Sequence, residues 1–406
     1  MKAKHLILAF AALAIINSQS SAVFAQGSLT PPGAPAPTFK TLSQIEPRTA
    51  ITNATSVTIS APGSYYLTTN ITVTTANAII ITTNNVTLDL NGFTVSSTAP
   101  SATGTGIRLV LANADIAILN GHIKGGVTNN AGVYNCSGFA NGIFYSGPIP
   151  SNVRVAGVSV SGCLTYGIYL DIYNSTVVES CTVQTVGSSG IVAGSVSHST
   201  AYQCGNDAIS ANIASDCYGY GTGSAAGVSA TTANNCLGFS TGSGTGVNAL
   251  TANNCHGEGA GSSSGVSATT ANNCSGSSFN GTGLSADIAT GCSGISSGSG
   301  YGLYATYTAN NCYGRSFSST GLYANSANNC YGESYSGVGV YASTANNCYG
   351  YSSSYYGLNA TSIAIGCVGY SATGTGLYAY IANSCSGYPF AATYKYNCQP
   401  PNTVPY

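Results

Sequence analysis

Charge is what this sequence has least of: nine Lys and Arg and ten Asp and Glu in 406 residues, for a net charge of −1. Soluble domains carry charge on about a quarter of their residues, against 5% here. Nine scattered cations cannot supply the clustered Lys and Arg that drive counterion release, so nucleic acid is excluded as a partner. Helical bundles and coiled coils need Glu, Lys, Arg and Leu in bulk and are excluded too. Trp is absent and Met occurs once. After the amino-terminal segment no stretch approaches the roughly 18 apolar residues of a spanning helix, so no membrane span is expected. A chain disordered through charge does not fit a hydrophobic content of 44%. What is abundant is Gly (52) and Tyr (29), together with Ser, Thr, Asn and Ala.

The amino terminus reads as an export signal. Lys2, Lys4 and His5 precede the apolar run Leu6–Ile16, and Val23-Phe24-Ala25 offers a small-residue cleavage site before Gln26. The expected organisation is a signal peptide over 1–25, a Pro-rich leader over 26–49, a solenoid over 50–387 and a terminal cap over 388–406. The expected location is extracellular or at the cell surface, with the periplasm as the alternative.

Ten cysteines, at 217, 236, 255, 274, 292, 312, 330, 348, 367 and 385, recur every 18–20 residues. Each unit reads Cys-x-Gly-x-Ser, a loop, then Gly-Val/Leu-x-Ala-x-x-Ala-Asn-Asn, the mark of a solenoid. The unit is too short for two helices with their turns, and Gly and Asn are poor helix formers. Around each Cys, constant small residues alternate with variable ones, the period-two pattern of a strand with a fixed inside and a tolerant outside. The residue before each Cys is Asn, Asp, Gly or Ser, which predicts a left-handed corner there. The fold class predicted is all-β: a right-handed parallel β-helix, with longer irregular coils over 50–216 and about ten short coils over 217–387. At about 4.8 Å per coil the regular section spans about 50 Å, and its small inward residues predict a narrow cross-section.

The segment Pro35-Ala-Pro-Thr-Phe-Lys-Thr-Leu-Ser-Gln-Ile-Glu-Pro-Arg-Thr-Ala-Ile51, followed by Gly63-Ser-Tyr-Tyr-Leu67 and the Val86–Phe93 strand, resembles secreted bacterial β-helix proteins of the pectate-lyase-like superfamily. The resemblance covers about residues 30–210 by motif and the remainder by architecture alone. It implies the fold and an extracellular setting. Its members include lyases, hydrolases and non-catalytic surface proteins, so it implies no single activity.

A polysaccharide lyase needs a carboxylate cluster and a base, and a hydrolase needs two carboxylates. The regular section holds only Glu258, Asp287, Arg315 and Glu333. Arg315 and Glu333 are expected to stack as a surface ion pair, and His256 and Glu258 to share an outward face without a third group. Catalytic candidates are therefore confined to the long coils and their margin: Asp89, Asp115, His122 and Asp207. No cofactor is expected. The Cys column (Cys217, Cys236, Cys255, Cys274, Cys292, Cys312, Cys330, Cys348, Cys367, Cys385) reads as a ladder of buried thiols in preference to vertical disulfides, because stacked parallel side chains do not reach the disulfide dihedral. The absence of Cys-x-x-Cys and the linear arrangement speak against a metal centre.

Outward columns of Tyr, namely Tyr313, Tyr331 and Tyr349 after the Cys and Tyr304, Tyr323, Tyr341 and Tyr378 on the preceding strand, suit either contact with sugars or proteins or stabilisation of the coils themselves. The function expected is a non-catalytic surface or matrix rod presenting Tyr, Ser, Thr and Asn faces to a polysaccharide or cell-surface protein. The alternative is a polysaccharide-active enzyme with its site in the long coils.

Overall fold

A computed structural model describes residues 46–110, 114–173 and 175–396, with side chains described to residue 389. The segments expected to be the signal peptide and nearly all of the leader, and the tail beyond 396, lie outside the described residues. The described chain is a parallel β-solenoid of about 18 coils. It contains no helix, so none is long and apolar enough to cross a membrane.

The long coils have three faces, with a separate strand on each except where Ala114–Lys124 and Ser151–Cys163 run continuously over faces 2 and 3. On face 1, Val57–Ile59, Ile79–Ile81, Thr105–Val110 and Asn141–Ser146 stack in parallel register. Gly63–Leu67, Val86–Asp89 and residues 116–119 do so on face 2, and Ile71–Val73, Thr94–Ser97 and residues 122–124 on face 3. From Ile191–Ser197 onward faces 1 and 2 share one bent strand: its residues 191–192 pair with 168–169, and its residues 195–197 with 177–179. Each regular coil is therefore a seven- or eight-residue bent strand such as Leu322–Asn328, a corner, and a four-residue strand on face 3 such as Tyr331–Ser334. Stacking continues to Phe390–Tyr396, which pairs in parallel with Leu377–Asn383.

The corner between faces 2 and 3 is the most constant feature. Asn91, Asn120, Gly157, Ser180 and His198 in the long coils all have positive φ, as do all ten residues preceding the repeat cysteines. Asn, Asp and Gly dominate because they adopt this conformation at low cost. Beside the corner, amides bridge coil to coil: Asn253 Nδ2 donates to Asn234 Oδ1 at 2.9 Å and Asn272 to Asn253 at 3.0 Å, and Asn310, Asn328 and Asn346 form a second run at 2.9 Å.

The core changes character along the axis. The long coils bury Ile, Leu and Val, among them Ile79, Leu88, Ile107, Ile118 and Val155. The regular coils bury one Val or Leu, one Cys and two Ala each, except that Ala230 and Ala268 are only partly buried. Beyond these the interior closes to backbone against backbone. A Cβ added at Gly294 would lie 2.2 Å from Gly302 O, and one at Gly302 2.3 Å from Arg315 N. Two glycine columns thus pinch the coil, which is the narrow section expected. On the far side of the pinch runs a buried Ser column: Ser278, Ser316, Ser334 and Ser352 each donate to a loop carbonyl of the preceding coil (2.6–2.7 Å) and accept a loop N–H of their own (2.8–2.9 Å).

Candidate functional site

Most ionisable residues of the long coils make contacts that serve the scaffold. Asp89, at the end of its face-2 strand, accepts the Asn91 N–H at 2.8 Å and the Arg48 guanidinium at 3.0 Å, and Arg48 lies over the Tyr66 ring at 4.6 Å. Asp115 sits at positive φ and accepts from the Asn152 amide. His122 is exposed on face 3, while Asp89 is on face 2, so the corner separates the two. Asp207 accepts the Ala226 N–H at 2.8 Å, and burial pushes its carboxyl above the usual range against that bond. Arg154 pairs with Glu179, and Arg108 donates to Ser146 Oγ at 2.9 Å. Among the described residues no three His, Cys, Asp or Glu side chains converge as a metal ion would require.

The ten cysteines form one buried column. Nine of them, from Cys217 to Cys367, repeat the same geometry, with Sγ 3.3–3.5 Å from a carbonyl oxygen of the preceding coil and 3.1–3.3 Å from the carbonyl oxygen two residues back, two acceptors that share its single hydrogen; Cys385 Sγ lies 3.2 Å from Asn383 O. Facing carbonyl oxygens, the sulfur is set as a thiol donor. Among the described residues no two sulfurs are bonded, and Cys136 alone is exposed.

The Tyr columns are stacks of rings. Tyr304, Tyr323 and Tyr341 lie 4.9 and 5.1 Å apart with planes within 12°, and Tyr313, Tyr331 and Tyr349 lie 5.5 and 5.2 Å apart. The first stack ends where Asn359 follows Tyr341, so Tyr378 stands apart from it, 5.8 Å from Tyr356. The second ends at Val368. Within a stack each ring's faces are covered by its neighbours, which contributes about 0.5–1.5 kcal/mol per pair. Only end rings keep a face for a ligand, and the rest present edges and hydroxyls. In the long coils Phe144, Tyr145, Tyr166 and Tyr169 form a four-ring cluster on face 1. Tyr145 donates to Asp171 Oδ2 at 2.9 Å, and burial together with this bond pushes its hydroxyl well above the usual phenol range.

The sequence reading does not single out the loop edge next to face 3. Ladder bonds from Ser297 N to Ser278 O, Phe317 N to Ser296 O, Tyr335 N to Ser316 O and Ser353 N to Ser334 O set Phe279, Ser297, Phe317, Tyr335 and Ser353 in one column, at the fifth position after each Cys. The three rings are exposed: Phe279 by 65%, Phe317 by 56% and Tyr335 by 61%. Exposed Phe is the stronger sign of a contact surface, since it has no hydroxyl to satisfy in water. Two depressions of about 280 and 300 Å³ lie beside this column and meet at Ser297. One is lined by Arg315, Phe317, Glu333 and Tyr335, the other by Phe239, Glu258 and Phe279. Arg315 and Glu333 pair at 3.8 Å on adjacent strands, and Tyr313 donates to Glu333 Oε2 at 3.2 Å. His256 lies 3.2 Å from Glu258, with Phe239 6.3 Å from its ring. The signal for this edge was present as Phe and Tyr at a fixed offset, but loops of unequal length hid the shared column.

Comparison with protein-family models, curated proteins and solved structures finds no significant match for this chain.

Proposed function

We propose that this protein is a non-catalytic β-solenoid whose outward aromatic and hydroxyl-bearing columns contact glycan chains. One contrast carries the reading. Most of the described acids and bases are engaged in corners, caps and isolated pairs, and none gather into a cluster of three, while exposed rings are gathered into axial columns with depressions beside them. A long run of identical coils suits a repeating polymer, because each rung offers the same spacing to the next unit. The amino-terminal signal and the resemblance of residues 30–210 support the companion proposal of an exported surface or matrix protein of pectate-lyase-like descent. The test is to incubate the protein with a panel of neutral and acidic polysaccharides and to measure both retention and new reducing or unsaturated ends. Retention without product supports the proposal. Product release from any member overturns the non-catalytic claim, and no retention on any member overturns the glycan claim.

A further inference from the structure

The ring column on the loop edge has a gap. Phe279 and Phe317 stand two rungs apart with Ser297 between them, whereas Phe317 and Tyr335, one rung apart, stack at 5.1 Å with planes within 6°. Two rungs are about 9.6 Å, so a flat six-membered ring at the Ser297 rung lies about 5 Å from both neighbours. That falls in the 4.5–7 Å range of favourable ring pairs.

The same coil is abnormal in its buried serine. Ser296 is 2% exposed, and its Oγ has no hydrogen-bond partner. Its equivalents Ser278, Ser316, Ser334 and Ser352 are each held at both ends by loop backbone. The loop here is one residue longer than in those coils, ten residues from Cys292 to Gly302 against nine from Cys312 to Gly321. The N–H that closes on the other serines is thereby displaced. Ser296 lines the depression beside the gap, as do Ser297, Arg315 and Glu333. A buried hydroxyl left without a partner is costly and rare, and here it marks the coil whose loop departs from those neighbours.

We infer that this gap is a subsite for one neutral hexopyranose unit, its C–H faces between Phe279 and Phe317 and its hydroxyls toward Ser297, Arg315 and Glu333. Arg315 and Glu333 offer a donor set and an acceptor set to neighbouring hydroxyls. Their charges cancel, and Glu258 nearby disfavours an acidic sugar. The inference rests on the glycan-contact reading and gives it a location and a sugar class.

The test is calorimetric titration of the full chain with cellohexaose and mannohexaose as neutral probes and hexagalacturonate as the acidic one. At least one neutral probe is expected to bind, and hexagalacturonate at least tenfold more weakly. Ser297→Phe, which fills the gap with a third ring, and Phe317→Ala should each weaken binding at least tenfold. Neutral binding unchanged in Ser297→Phe, or lost only in Tyr323→Ala and Tyr341→Ala, overturns the subsite and leaves the glycan reading standing. Tighter binding of hexagalacturonate overturns the sugar class. No binding of any probe overturns the subsite, and the polysaccharide panel then decides the wider reading separately.

Discussion

Replacing Gly302 by Ala probes the pinch that sets the cross-section of the regular coils. The added Cβ would lie 2.3 Å from Arg315 N and 2.5 Å from both Arg315 O and Gly321 O, against about 3.5–4.0 Å for an ordinary contact. All three are backbone atoms, so no side chain can swing away. Relief requires the segments to part by about 1 Å. The ladder bonds at this rung are Gly302 N to Thr320 O (3.1 Å), Leu303 N to Gly321 O (2.9 Å), Gly283 N to Tyr301 O (2.9 Å) and Leu284 N to Gly302 O (3.0 Å). Such a shift strains all four, lengthening some and misaligning the others. At about 1 kcal/mol each the loss is roughly 4 kcal/mol, offset by about 0.4–1 kcal/mol from the stiffer unfolded chain. A net cost of about 3 kcal/mol accelerates exchange of the amides around 284–322 by about a hundredfold, since each 1.4 kcal/mol is a factor of ten. Hydrogen exchange read by mass spectrometry localises the effect, which a global midpoint cannot do in a repeat array. Gly221→Ser is the control: its nearest contact is 3.3 Å, and Ser occupies the equivalent place in most other coils. Exchange in Gly302→Ala within about fivefold of the unaltered chain would falsify the account of the pinch.

At the corner, Asn329 has φ +52°, so Asn329→Val should cost about 1–2 kcal/mol while Asn329→Gly stays near neutral, as Gly291 and Gly366 already do in their coils; urea unfolding of both variants checks this, and equal costs contradict it. Burial pushes the Cys163 thiol up to about 12 and Cys181 to about 11. These thiols stay protonated in the folded chain while unfolded ones ionise near 8.5, so stability is level below about pH 8 and falls from about pH 9 toward 12, by about 1.4 kcal/mol per pH unit for each thiol. A urea midpoint that does not move between pH 8.5 and 10.5 refutes that assignment. Thiol titration in denaturant should return about fifteen thiols from the 15 cysteines, and in the folded chain Cys136 alone among the described ones should react quickly; a denatured count near one means vertical disulfides. Asp89→Ala removes the acceptor for Asn91 N–H and Arg48 and should cost about 1–2 kcal/mol while leaving glycan retention intact; loss of retention in a folded variant contradicts its structural role.

The architecture was legible because the repeat states it ten times. Cys spacing, Gly two residues on and the Asn, Asp, Gly or Ser corner together define a coil, and the corner's positive φ follows from which residues interchange there. The amide runs through Asn253 and Asn328 and the second role of Ser334 were hidden, because both depend on which atoms meet one rung away rather than along the chain. The fusion of faces 1 and 2 near Ile191 was hidden for the same reason. The candidate site was less legible than the fold. Tyr at fixed offsets announced ring columns, but whether a ring shows its face or its edge is decided by its neighbour in the next coil. The loop edge was obscured by loops of five and six residues, which shift Phe279, Phe317 and Tyr335 against the following strand while leaving their own column intact.

The most direct test of the central claim is affinity electrophoresis of the folded chain through native gels, each cast with one polysaccharide. The account predicts retardation that grows with the concentration of at least one neutral polysaccharide and is relieved in the Phe317→Ala variant. Unchanged mobility in every gel contradicts it.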